Sequence, residues 1–133
     1  MAESDKPKST ARLLLVEDDK ALRRYLEVTL QRAGYEVVAA ADGLEAMKLV
    51  LSTSVDLVIT DAMMPNLSGH ELCRFLRSSP TLSHIPIVLL SGLGKKDAGL
   101  ETGLADAFLA KPVAAEKLRE CVAGLLQVSR PNG

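Results

Sequence analysis

Leu13-Leu14-Leu15-Val16-Glu17-Asp18-Asp19 is four apolar residues running straight into three acids. An unbroken apolar run of this length is the pattern of a strand buried on both faces, as in a parallel sheet covered by helices. Working outward, Leu22, Leu26, Leu30 and Ala33 recur at helical spacing and Gly34 is a fitting C-terminal stop, which predicts a helix over 21–33. Residues 36–40 read as a second strand. Asp42 with Glu45 three positions on is a capping-box spacing, and it opens a helix carrying Leu44, Met47, Val50 and Leu51. Residues 55–60 read as a third strand that ends at Asp61, followed by a loop over 63–67. Ser68 and Glu71 repeat the capping spacing before a helix with Leu72, Phe75 and Leu76 facing inward, closed by Ser78-Ser79-Pro80. Residues 85–90 form a fourth strand, with Pro86 near its start, where proline is tolerated. Residues 107–110 form a short fifth. The last helix, over 114–128, places Leu118, Cys121, Val122 and Leu125 on one face.

Strands alternating with helices imply an α/β fold: a five-stranded parallel sheet with helices on both faces and right-handed crossovers. The 133 residues are one domain's worth, with 47% apolar and 25% charged side chains, which excludes disordered, collagenous and disulfide-scaffold classes. Sixteen basic against 17 acidic side chains give a formal charge of -1, so nothing favours direct nucleic-acid binding. Cys73 and Cys121 lie in separate helical patterns with no Cys-x-x-Cys, as reduced thiols of a cytoplasmic protein would. The N-terminus lacks an apolar signal core, and no apolar run approaches the roughly 18 residues of a membrane span. Residues 1–11 read as a flexible tail, 12–128 as the domain, and 129–133 as a C-terminal tail or the start of a linker.

The residues able to do chemistry stand where strands end. Glu17, Asp18 and Asp19 follow the first strand, Asp61 the third, Ser91 the fourth and Lys111 the fifth. In a doubly wound sheet of order 2-1-3-4-5 these ends share one edge, and ligands bind where the strand order reverses. Strands one and three are then neighbours about 4.8 Å apart, which crowds Glu17, Asp18 and Asp61. Crowded carboxylates raise one another's pKa values unless a cation joins them. An all-oxygen set without His or Cys suits Mg²⁺ or Mn²⁺. Aspartate is a nucleophile toward phosphoryl groups, and phosphoryl transfer needs positioning and charge neutralisation above all. The Lys111 ammonium and the Ser91 hydroxyl would help supply both.

Four segments, Leu14 through Asp19, Asp56 through Pro65 with Gly69, Leu89-Leu90-Ser91-Gly92, and Phe108-Leu109-Ala110-Lys111-Pro112, resemble the receiver domains of two-component response regulators. They occur in order at matching strand ends, and the resemblance covers about 12–128. It implies a flavodoxin-like, doubly wound fold with five helices. It also implies Asp61 as phosphoacceptor and Glu17 and Asp18 as the acidic pair holding Mg²⁺, Asp18 directly and Glu17 through water. The Met63 backbone carbonyl is a further implied metal ligand. Ser91 would contact and report the phosphoryl group, Lys111 would pair with it, Phe108 occupies the aromatic switch position, and Lys111-Pro112 is the implied cis site. The implied partners are a sensor histidine kinase or a histidine phosphotransfer protein upstream and a downstream protein or missing output domain. The implied state is a monomer or a phosphorylation-dependent dimer.

Blander roles compete. Asp19 is mainly a helix cap, favoured there by the helix dipole. The side chains of Met63 and Met64 are loop packing, and His70 and His84 are surface or turn residues. Two features depart from the family: Ala62 stands where a larger residue is usual, and the stretch from Ser91 to Phe108 is short and holds Gly92, Gly94, Gly99 and Gly103. Glycine disfavours helix by up to about 1 kcal/mol per residue, so a short, frayed or displaced fourth helix is expected over 95–100. Met63 and Leu93, each two positions beyond a site residue, are poor at orienting a hydrolytic water, so a long-lived phosphoryl group is expected. A haloacid-dehalogenase-like phosphatase would need a second acid where Met63 stands. A flavin-binding protein would need a Ser/Thr/Gly-rich loop where Glu17-Asp18-Asp19 stands. The remaining alternative is a receiver-like interaction module that does not depend on phosphorylation.

Overall fold

The computed structural model describes residues 10–64, 66–92 and 104–129. Its elements run β1 (Arg12–Val16), α1 (Lys20–Arg32), β2 (Glu36–Ala40), α2 (Gly43–Ser52), β3 (Leu57–Asp61), α3 (Gly69–Ser78), β4 (Ile87–Ser91), β5 (Ala107–Ala110) and α4 (Ala115–Ser129). The strands form one parallel sheet of order β2-β1-β3-β4-β5. The helix expected over 95–100 lies outside the described residues, so four helices are described where five were expected.

The two-residue period of the strands divides the core into two halves. Leu14, Val16 and Val58 face Ala46 and Val50 of α2 and Leu72, Cys73 and Leu76 of α3. Leu13, Leu15, Leu57 and Ile59 face Leu26 and Leu30 of α1 and Leu118, Val122 and Leu126 of α4. Burial on both faces is why 13–16, 57–59 and 87–90 are unbroken apolar runs.

Caps set the helix starts. Asp19 accepts the Leu22 N–H, and Ser68 and Glu71 form a full reciprocal box at α3. At α2 the box is displaced: Asp42 accepts the Glu45 N–H, but the Glu45 carboxylate reaches the N–H of Ala41 rather than of Asp42. Gly34 ends α1 with φ of 100°, a conformation that glycine adopts without steric cost.

Leu44 and Leu51 of α2 are exposed, and the buried residues of that helix are Gly43, Ala46 and Val50. Each leucine is one position, about 100°, around the helix from a buried residue. Val55 and Ile85 are buried but precede their strands, and the Pro86 carbonyl, just ahead of β4, accepts the Val58 N–H. Ala11 is buried and its carbonyl accepts the Glu36 N–H, so the folded body reaches one residue into the expected tail. Among the described residues no helix is long and apolar enough to cross a membrane.

Candidate functional site

Sheet register brings the functional side chains to one edge. Val16, the last residue of β1, is paired with Thr60, so Glu17 and Asp18 emerge beside Asp61 at the end of β3. Asp61 in turn pairs with Leu90, which places Ser91 one step further along β4. The Lys111 N–H donates to the Ser91 carbonyl at 2.9 Å, which draws the end of β5 to the same edge. The Lys111–Pro112 peptide bond is cis.

Lys111 Nζ donates to Asp61 Oδ2 at 3.0 Å. It also lies 3.2 Å from Glu17 Oε1, near enough for an ion pair but off the line of a hydrogen bond. Carboxylate oxygens of Glu17, Asp18 and Asp61 all lie within 4.8 Å of one another. Glu17 is fully buried, Asp61 and Ser91 are nearly so, and Asp18 is exposed. The Glu17 Oε2 atom accepts the Asp19 N–H at 3.0 Å, while Oε1 is buried with no hydrogen-bond donor.

Burial pushes the Glu17 carboxyl above its ordinary value, and the nearby Asp61 charge adds to this. The Asp19 N–H and the Lys111 ammonium pull the other way without cancelling it. Burial lowers the Lys111 pKa, but the hydrogen bond and charge of Asp61, with the charge of Glu17, outweigh it and hold the ammonium above its usual range. Three clustered carboxylates against one ammonium, with one buried oxygen lacking a donor, form a hard, anionic pocket suited to a small divalent cation. Among the described residues, Glu17, Asp18 and Asp61 form a group that could hold it.

Asp19 serves as the cap of α1, as expected. Met63 has a side chain 62% exposed, and Phe108 lies on β5 three residues before Lys111, 41% exposed. Ala107 and Leu109 pack toward α1 and α4, so Phe108 faces the other side of the sheet.

One residue at the site, Arg23, and one contact, that of Gly69, escaped the reading of the chain. Arg23 on α1 donates from Nη1 to the Glu17 carbonyl at 2.8 Å. A lone arginine on a helix face carries no motif that would single it out. The backbone of Gly69 touches that of Asp61 and Ala62 so closely that a Cβ there would collide with the Asp61 carbonyl oxygen and with Ala62 Cα. The Gly69 N–H also donates to the Ala62 carbonyl at 3.0 Å. Gly69 was visible as part of the family pattern but not for this contact.

Comparison with known proteins agrees with this geometry. The family described as response regulator receiver domain matches residues 13–123. The chain is 41% identical over 124 residues to the response regulator MprA of Mycobacterium sp. (strain KMS), covering 91% of this chain and 53% of that protein. It thus spans about half the length of the curated relatives it matches. Among solved structures, the signal receiver domain of a signal transduction histidine kinase from Syntrophus aciditrophicus superposes with a TM-score of 0.85 at 34% identity, covering 91% of this chain and 93% of that one. The response regulator TrrA of Thermotoga maritima, solved in complex with Mg²⁺ and BeF, gives 0.80 at 34% identity over 87% of this chain and 99% of that one. With the strand order, the acidic edge and the family match in agreement, the chain belongs to the response regulator receiver domains of two-component signalling systems.

Proposed function

We propose that Asp61 is the phosphoacceptor and that Glu17, Asp18 and the Met63 backbone carbonyl, with Asp61 itself, hold Mg²⁺ (or Mn²⁺ in its place). The observation that carries this reading is the convergence of Lys111 Nζ on Asp61 Oδ2 at 3.0 Å beside the Glu17–Asp18–Asp61 cluster. TrrA, a relative at 34% identity, was solved with Mg²⁺ and BeF, and an all-oxygen carboxylate cluster suits the same cation. Bound Mg²⁺ would neutralise charge on the phosphoryl oxygens and help to align the acceptor.

The chain's own residues do the rest. An Asp61 carboxylate oxygen attacks the phosphorus of a phosphohistidine. The new O–P bond forms as the N–P bond breaks, and the electron pair leaves with the imidazole. Lys111 already rests on Asp61 and pairs with the incoming charge without a large rearrangement. Ser91, buried on the neighbouring strand, hydrogen-bonds the phosphoryl group. Its shift opens space for Phe108, which alters the surface near β5 and the helix expected between β4 and β5, a local charge event biasing a bistable element. The protein is a regulatory switch that catalyses only its own phosphotransfer and dephosphorylation. Met63 offers no acid or amide to orient water, which favours a long-lived phosphoryl group; Leu93, the other residue in that expectation, lies outside the described residues.

The working unit is 12–128, flanked by tails or linker at 1–11 and 129–133, apart from Ala11, which packs onto the fold. It acts in the cytoplasm with a sensor histidine kinase or histidine phosphotransfer protein upstream and a partner protein or output domain downstream. It works as a monomer or a phosphorylation-dependent dimer.

Incubation with acetyl phosphate and Mg²⁺, followed by intact-mass measurement, tests the assignment. The wild-type chain gains one phosphoryl group and Asp61→Asn gains none. Equal gain by Asp61→Asn would refute the assignment. No gain by the wild-type chain would favour a module that works without phosphorylation.

A further inference from the structure

Glu17 is anchored from several directions. Its N–H donates to the Ala40 carbonyl on β2 at 3.1 Å, and its carboxylate meets the Asp19 N–H and Lys111. These contacts fix its strand end and its side chain. The bond from the Asp19 N–H spans the peptide that follows and limits its plane, but it does not hold that peptide's carbonyl. The carbonyl oxygen of that peptide accepts from Arg23 Nη1 at 2.8 Å, in a partly buried setting. Arg23 is itself held in place, since its N–H donates to the Asp19 carbonyl at 2.8 Å within the first turn of α1.

The peptide joining residues 17 and 18 is a rigid planar unit. The side chain before it is fully buried and the one after it is exposed, yet their carboxylate oxygens stand within 4.8 Å of one another and of Asp61. Whatever fixes that plane therefore sets the spacing of the two acids. We propose that Arg23 is a positioning residue for the cation site, locking the Glu17–Asp18 peptide so that both carboxylates face Asp61. This rests on the assignment of those acids to Mg²⁺ made above.

Charge alone predicts the opposite sign. A guanidinium near an acidic pocket repels a dication, so its removal by itself would tighten Mg²⁺ binding. Positioning predicts that removal weakens it, because Mg²⁺ demands near-ideal geometry from its ligands. Arg24, the next residue, provides a matched control: its side chain is largely exposed and lies 4.0 Å from Glu27, one turn on.

The test is calorimetric titration of the full chain with MgCl₂, with unfolding midpoints measured in parallel. Arg23→Gln binds Mg²⁺ three- to tenfold more weakly than wild type, and Arg24→Gln stays within twofold. Arg23→Met, which keeps the apolar stem, behaves like Arg23→Gln and covers the case in which Arg23→Gln does not fold. A purely structural role would lower the unfolding midpoint and leave the Mg²⁺ affinity of the folded protein unchanged. Arg23 variants that bind Mg²⁺ as tightly as wild type, or more tightly, overturn this proposal alone. A wild-type chain that binds no Mg²⁺ overturns it together with the reading of the site.

Discussion

Lys111 and Asp61 are 50 positions apart in the chain, and their Nζ and Oδ2 atoms meet at 3.0 Å. The same ammonium lies 3.2 Å from Glu17 Oε1, so one cation serves carboxylates at the ends of two strands. Lys111→Met leaves both acids buried and facing each other. Breaking a buried pair costs several kcal/mol, and the partial exposure of Lys111 reduces this to about 2 kcal/mol. A divalent cation then has no ammonium to compete with. Mg²⁺ is expected to stabilise Lys111→Met more than it stabilises wild type, by binding linkage. Urea unfolding of both proteins with and without Mg²⁺ checks this, and equal increments would contradict it.

Gly69 tests how firmly α3 is seated under the acceptor. Its missing Cβ would meet backbone atoms of Asp61 and Ala62, which cannot swing aside as a side chain could. Gly69→Ala should destabilise by about 2 kcal/mol, within the range for overpacking, and displace Asp61 enough to slow acetyl phosphate labelling. Gly124→Ala is the counter-case. It lies within α4 with nothing within 4 Å of an added Cβ, so it should stabilise by about 0.5–1 kcal/mol through helix propensity. Thermal unfolding that shows the same sign for both variants would refute this account of the two glycines.

Much of this was legible in the chain because both-face burial leaves a plain mark. Residues 13–16 and 87–90 are apolar without break and lie in β1 and β4. Ser68 with Glu71 announced the start of α3, where the reciprocal cap forms. Strand beginnings were less clear, since Val55 and Ile85 are as apolar as the strands they precede; burial, not hydrogen bonding, is what an apolar residue reports. Leu44 and Leu51 show the limit of apolarity as a guide: both are exposed, while Gly43 packs on Leu67 and Ala46 and Val50 enter the core. At the site, the strand-end acids, Ser91 and Lys111 were visible because topology carries them to one edge. Arg23 was not, because its role depends on reaching a backbone carbonyl, which no residue pattern encodes.

Cys73 should govern part of the alkaline stability. Burial pushes its thiol up to about 11 from an ordinary 9.0, the charge of Asp106 adds to this, and Arg77 and Arg74 oppose it. The folded state keeps the proton that the unfolded chain gives up, so stability falls as pH rises from about 9 toward 11, by roughly 3 kcal/mol in all. The Lys111 ammonium, held above its ordinary 10.5, keeps its contribution through the first part of that window. Urea midpoints between pH 8.5 and 10.5 should drop more steeply for wild type than for Cys73→Ala. Burial also raises the Cys121 thiol, which leaves some slope in the variant. Parallel slopes would exclude Cys73 as the source.

Glu17 shows what the site gives up in stability to hold a cation. Its carboxyl is raised, chiefly by burial, so the folded state binds a proton more readily than the unfolded chain. Without metal, stability therefore declines as pH climbs from the ordinary 4.5 through the raised value, and the ionised acid is a liability at neutral pH. Glu17→Gln removes that liability and keeps an oxygen for the Asp19 N–H. At pH 7 without Mg²⁺ it should be more stable than wild type by about 1 kcal/mol, as stabilising changes at functional sites commonly are. The same change removes a ligand charge, so the stabilisation by Mg²⁺, about 2.7 kcal/mol at a hundredfold excess over Kd, should shrink or vanish. Unfolding at pH 5 and pH 7, with and without Mg²⁺, separates the two effects. A variant less stable than wild type in the absence of metal would mean that the contact with Lys111 outweighs the burial of the charge, and the acid would then be structural first.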